Sequence, residues 1–578
     1  MSDAGGKDGG GRDGGQRLTR GRGDARTLGA RLSEKLARIG YATPLHNRKL
    51  RGRPPLKLLG TPADPIAGDA VAGREIAAGK LGFGGHVEAI RTLNFATARA
   101  PLAWREWVHG FEWLRDLAAA SDRKKGAIVA ELVVEAWLAS YRDYDELAWR
   151  ADLAGRRLMF WPLYAPYILS RSEPIYRSLV LNHLARAARH VDRAQDKMPE
   201  GLPRVEAAAG LLAAGLILPE GAARSVRAES ALRKALEDVL LPGGGVASRR
   251  PSDALALLER LLTLRAFYEA RKMDVSPVVA EAIESLASGV KGLTLGDGRL
   301  AAIHGGNVCA PERIAKALAL VGGNVRPTRN GAASGFQRMD AGKTVIVVDA
   351  GPPPAKDTAS GAHAGTLALE MSDGDARMIV NCGGAEGAGV PLPDALAGLL
   401  RTTAAHSTLV VNDTNSTRLL GGGGLGKGVG EVVVTRHESE EGCWLDATHD
   451  GYAKRFGVIH RRRIFLAADG RDIRGEDALE PARVTRLLGR RRALPFDVRF
   501  HLAPGVEATP TADGKGALVK LAAGRVWQMK VRGGRLTVDE SIFVDESGKH
   551  RGVAQVVISG ETEDGGATVN WSFKRASK

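Results

Sequence analysis

Histidine and tyrosine are sparse in this chain of 578 residues, so places where they gather with cations are the first places to look for chemistry. The stretch HDGYAKRFGVIHRRR, residues 449–463, brings His449, Tyr452 and His460 together with Arg461, Arg462 and Arg463. Nearby positive charge favours a phenolate, and an imidazole can carry a proton close to neutral pH. The stretch therefore offers Tyr452 and His449 as proton-transfer groups, with His460, Arg461 and Arg462 to hold an anionic partner. It fits equally well a turn, filled by His449 and Tyr452, beside a solvated strand face of arginines.

Two other histidines stand at the mouths of apolar runs. His406 lies in RTTAAHSTLVVND (401–413), five residues after Arg401, and His363 precedes GTLALEM. Bare chemistry reads them as buried hydrogen-bonded strand residues; a shared polar site is the competing reading. His183 and His190 share one face of a helical stretch, and solvation of that face is the expectation. GGGGLGKG (421–428) lacks the Ser or Thr that ends a phosphate-binding loop and sits between strand-like runs, which predicts a flexible hairpin loop.

The elements that must position these groups change character along the chain. Residues 1–60 read as a flexible basic arm, glycine-rich at first and carrying RKLRGRPPLK, with a short helix in RTLGARLSEKLARIG. From 61 to 325 apolar residues recur at three- and four-residue steps, as in Trp107, Phe111, Trp113 and Leu114, and predict packed helical hairpins with most tryptophans in the core. From 326 to 578 the period falls to two, in KTVIVVDAG, GTLALEMS, RMIVNCGG, STLVVND, GEVVVTRH and further runs. Many short strands with Gly and Asn between them predict a large antiparallel sandwich.

Bulk composition narrows the function classes. A formal net charge of +16 favours polyanionic partners without naming one. The basic arm lacks interleaved aromatic residues, so nucleic acid is the weaker expectation. Three scattered cysteines give neither a disulfide framework nor a four-cysteine zinc site. No apolar run is long enough to predict a membrane span, and no export signal is expected in MSDAGGKDGGGRDGGQRLTRGRG.

Several motifs taken together resemble the heparinase II/III family of polysaccharide lyases. They are SGFQRMDAGKTVIVVDAGPPP (334–354), HAGTLALEMSDGDARMIVNCGG (363–384), RTTAAHSTLVVND (401–413) and HDGYAKRFGVIHRRRIFLAADGRDIRGED (449–477). DGRLAAIHGG (297–306) and LPGGGVASRRPSDALALLERLLTLR (241–265) look like the family's helical segment, so the resemblance spans roughly residues 60–578. It implies an incomplete (α/α) toroid followed by a β-sandwich, an acidic polysaccharide as partner, cleavage by β-elimination, and a place in the cell envelope or periplasm. That chemistry needs donors or cations to neutralise a uronate carboxylate and a base to take the adjacent proton.

Carried over by position, the resemblance makes His363, Asn381 and His406 a possible zinc site, although no cofactor is required for the reaction. Asn381 stands where a carboxylate is expected, and Gly365 where an aspartate is. Gly361 takes the place of the proton-handling histidine and Asp253 that of the tyrosine. The Asn-His pair of an early toroid helix falls at Leu202-Pro203, with Asn182-His183 further upstream. Tyr452, His406 and His449 remain the catalytic candidates, with Arg401, Arg461, Arg462 and His460 for substrate.

Overall fold

The structure is a computed structural model that describes residues 15–21, 28–53, 55–95, 99–384, 392–482, 493–522, 524–563 and 566–576. The switch of hydrophobic period near residue 325 is an architectural boundary. Helices from Leu102–Gly110 to Pro311–Val321 form the toroid, and two large antiparallel sheets follow.

In the toroid, Leu202–Ile217 packs against both Ala151–Leu163 and Ala222–Val239. Its sequence, LPRVEAAAGLLAAGLI, is apolar around most of its circumference because it is buried on every side. Small residues permit the close crossing: a Cβ added at Gly210 would sit 2.1 Å from the carbonyl oxygen of Gly155. Trp104, Trp113, Trp137, Trp149 and Trp161 are fully buried, as helical spacing predicts.

The expectation of a solvated His183–His190 face is corrected. His183 is enclosed by the rings of Trp137, Trp149 and Trp161, and His190 Nε2 lies 2.8 Å from the Trp149 carbonyl. An imidazole can sit on an apolar helix face when aromatic edges surround it and a backbone oxygen accepts its N–H. Ionic groups nearby neutralise one another: Arg115 pairs with Asp64 and Glu112, Arg260 with Glu112 and Glu206, and Arg313 with Glu259.

The nine-stranded sheet runs in the order Gln16–Thr19, Glu431–Glu438, Gly442–His449, Val458–Ala467, Asp472–Pro481, Ala567–Arg575, Val526–Arg532, Gly516–Lys520, Glu507–Pro510. The second sheet runs Arg535–Val544, His550–Glu561, Pro495–Leu502, Ala376–Val380, Leu369–Asp373, Thr344–Asp349, Phe336–Ala341, with Leu409–Val411 also paired to Pro495–Leu502. Their facing sides make one core, in which Met371, Ile379 and Phe500 of one sheet join Leu445, Ile464 and Trp527 of the other. Phe336 and Val347 belong instead to the core of the toroid, so the two halves share apolar packing.

Part of the expected flexible arm is structured. Gln16–Thr19 adds an edge strand to Glu431–Glu438, and Arg20 donates to the carbonyls of Pro354 and Gly426. The expected short helix is Leu28–Tyr41. Residues 1–14, 22–27 and 54 of that arm lie outside the described residues.

Candidate functional site

The toroid meets the sandwich at two adjacent arginines. After the strand Gly245–Val246 the chain turns at Arg249, whose φ of 53° is in the left-handed region, and then enters the helix Pro251–Ala270. Arg249 is buried and reaches into the sandwich. It donates to the carbonyls of Ser334 (2.7 Å), Gly351 (3.2 Å) and Pro352 (2.7 Å), pairs with Asp349, and lies over the ring of Phe336. Arg250 donates to the carbonyls of His304 (3.1 Å) and Ser360 (2.8 Å). Together they fasten the two halves.

His304 completes this seam. Its Nε2 is 3.1 Å from Arg249 Nη1 and 3.4 Å from Asp349 Oδ2. Burial, reinforced by the Arg249 charge, pushes its pKa well below the ordinary histidine value, so the ring is neutral and Nε2 accepts. Burial also raises the Asp349 pKa, and Arg249 opposes that rise. Asp253, at the position expected for a tyrosine, accepts from Ser248 Oγ at 2.7 Å and sits 3.4 Å from Arg250 at the start of its own helix.

His363 and His406 form a buried pair with 3.1 Å between Nδ1 of the first and Nε2 of the second. His406 Nδ1 faces the Thr402 carbonyl at 2.7 Å, so it carries the proton and Nε2 accepts from His363. Burial lowers the His406 pKa to about 4. The two glycines at expected side-chain positions have local reasons. Gly361 has a φ of 72° in a turn whose N–H donates to Gly423, and a Cβ on Gly365 would lie 2.5 Å from the ring of His406.

The residues named for zinc have their polar atoms engaged within the protein. The His406 Nε2 lone pair is taken by His363, and the Asn381 amide is spent on both sides: Oδ1 accepts from the Ser407 N–H, while Nδ2 donates to Ala302 and Glu370. Among the described residues no three His, Cys, Asp or Glu side chains are grouped to hold a metal.

The remaining candidates lie inside the sandwich. His449 Nδ1 accepts the Gly451 N–H at 3.1 Å, its Nε2 donates to His460 Nδ1 at 3.2 Å, and His460 Nε2 donates to Asp477 at 2.7 Å. Asp477 also takes two bonds from Arg462 and one from the indole of Trp571. The charge of Arg462 and the His460 bond hold this carboxyl far below the usual range despite its burial. Arg462 spends its other donors on the Leu367 and Ser407 carbonyls.

The sequence leaves Tyr452 open between a proton-transfer group, its phenol drawn down by arginines, and the filler of a turn. Its hydroxyl donates to the Leu409 carbonyl at 3.0 Å, and burial drives the phenol pKa up with no counteracting arginine beside it. The reason is direction: Arg461 and Arg463 point to the other face of their strand, where both pair with Asp446. Arg401 clasps the glycine loop through the carbonyls of Gly423 and Gly424, at 2.7 Å each, so that loop is tethered.

Sequence reasoning thus singled out none of Arg249, Arg250, His304, Asp349 and Asp477, each of which stood only inside a quoted motif. Arg-Arg-Pro was the available signal for the first two, since proline at a helix start puts the preceding arginines on a connection.

Three comparisons bear on this geometry. Residues 324–572 match the family model described as heparinase II/III-like, C-terminal. The chain is 30% identical over 564 residues to FtsZ-localized protein C of Caulobacter vibrioides, covering 95% of this chain and 96% of that protein. Among solved structures, heparinase III aligns with a TM-score of 0.65 and 11% identity over 96% of this chain and 92% of that one. A heparan sulfate lyase mutant from Pedobacter heparinus aligns with a TM-score of 0.64 and 14% identity, over 94% and 89%. At these identities the likeness to the lyases is one of fold.

Proposed function

The chain belongs to the heparinase II/III-like family, and from that premise we propose that it is a binding member of the family that does not carry out β-elimination. The observation that carries this reading is the state of Tyr452: buried, donating to a backbone carbonyl, with its pKa raised. Elimination needs a base that touches the substrate and a proton donor at the departing oxygen. Tyr452, His449 and His406 are committed to partners within the protein, and the positions of the family's histidine and tyrosine hold Gly361 and Asp253.

What the fold keeps is a scaffold on which an acidic polysaccharide partner remains the expected ligand class. The relative is named for localisation with FtsZ, and we carry over that kind of role, placement through binding, with the cell envelope as the proposed setting. No step in such a role calls for zinc.

The test is ultraviolet absorbance of unsaturated uronate while the purified chain is incubated with heparan sulfate, alginate and other polyuronates. The reading predicts a flat trace with each. A rising trace that Tyr452→Phe or His406→Ala abolishes overturns it.

A further inference from the structure

The outer face of the nine-stranded sheet carries a row of side chains that the seam and the sandwich interior do not use. Strand register places His437, Trp444, Phe465, Arg474, Ser572, Lys530 and Gly516 opposite one another across seven consecutive strands. All lie on the side away from the core, since their neighbours Leu445, Ile464, Ile473, Trp571 and Met529 are the buried residues of the same strands. Trp444 is 44% exposed and packs on Phe465 with ring centroids 4.4 Å apart. Arg474 approaches the ring of Phe465 and pairs with Asp472, two residues away, with the arginine side chain 66% exposed.

From these residues we propose that this row is a binding surface for an extended anionic polysaccharide, separate from the seam between the two halves. Trp444 offers a flat apolar ring for the face of a sugar, and Arg474 and Lys530 offer cations for its acid groups. Arg474 and Lys530 stand two strands apart, roughly 10 Å, with the hydroxyl of Ser572 between them. A chain of sugar rings with an acid on every second ring presents charge at a comparable, sparse interval. An exposed arginine pair such as Arg474–Asp472 is weak, so the guanidinium is available to a ligand.

The neighbouring rows hold both signs: Arg463 stands between Asp446 and Glu476 on one side of the row, and Lys574 opposite Asp472 on the other. The row itself adds Arg474 and Lys530, a sparse pair of cations that suits an acid on every second sugar better than a phosphate at every unit. The row has one exposed aromatic platform, too few for the successive base stacking by which single-stranded nucleic acid is held.

The proposal goes beyond the reading of the chain as a member that does not carry out elimination, and does not depend on it: elimination activity would overturn that reading and leave this surface standing. The experiment is affinity electrophoresis of the full chain in gels containing hyaluronan, which has one carboxylate on every second sugar, neutral dextran, or a single-stranded oligonucleotide. Retardation by hyaluronan and not by dextran is expected. Trp444→Ala and Lys530→Glu should each weaken it, roughly tenfold for loss of one contact of this kind. Lys316→Glu, the same charge change at an exposed toroid residue, should leave it intact. No retardation, equal weakening by Lys316→Glu, or tighter oligonucleotide binding lost in the same variants would each overturn the proposal; unchanged melting of Trp444→Ala would show that the variant is folded.

Discussion

The interior of the sandwich and its outer face are built on the same strands and use the same residue types, yet their polar groups are in opposite states. In the strand Val458–Ala467, His460 and Arg462 point inward and spend their donors on Asp477 and on backbone carbonyls. Arg461, Arg463 and Phe465 of that strand point outward, to a face that carries exposed Trp444 and Lys530. The lesson is that residue type and proximity in sequence do not make a site. A group inside must be paired because burial without a partner is costly, while a group outside keeps its capacity for a ligand.

The contrast can be broken most severely at Asp477. Asp477→Ala leaves Arg462 buried without its carboxylate, and breaking a buried pair of this kind costs about 3–5 kcal/mol. A fall of that size in denaturant-derived stability is expected, with the outer face still able to bind hyaluronan where the variant is folded.

Acid should act on the interior next. The buried histidines have depressed pKa values, so the unfolded chain binds their protons first and stability falls as pH drops below the ordinary value near 6.5. For His406, with a folded pKa of about 4, the loss approaches roughly 3 kcal/mol once pH is below that value. Replacing it, as in His406→Gln, should flatten the fall in stability between about pH 6.5 and 4, measured by chemical denaturation at each pH.

The seam gives an effect of opposite sign in pH. Arg249→Met removes the cation that opposes the raised pKa of Asp349, so the carboxyl would be held protonated in the folded state. Folding of the variant should then be most favoured below the unfolded carboxyl pKa and weaken as pH rises through the folded value. The expected loss relative to wild type at neutral pH is about 2–3 kcal/mol, read from denaturation midpoints.

Smallest is Tyr452→Phe, which deletes one hydrogen bond to Leu409 and keeps the ring. A loss of about 1–2 kcal/mol in stability is expected, with hyaluronan retardation unchanged.

Much of the fold could be read in the residues because periodicity reports burial directly. The runs at KTVIVVDAG and STLVVND are the strands Thr344–Asp349 and Leu409–Val411, and the tryptophans at helical spacing are core. Gly442–His449 and Val526–Arg532 were not picked out, because charged or amide side chains on their solvent face dilute the apolar alternation. The site was less legible. Sequence placed Tyr452 near Arg461 along the chain, but Tyr452 turns into the core from a helix cap while strand alternation sends Arg461 to the outer face, and no local pattern announces that Arg249 crosses to Asp349, 100 residues away. Long-range pairing is a property of the fold that positions these side chains.

The most direct test of the interior as structure is a histidine ring-proton titration by NMR, with and without heparan sulfate. His406 and His449 should show no titration near pH 6.5 and no shift on adding polysaccharide, because both rings are buried, neutral and hydrogen-bonded within the protein. Either ring titrating close to its ordinary value and moving with the polysaccharide would contradict that, and would return these residues to the role of proton carriers.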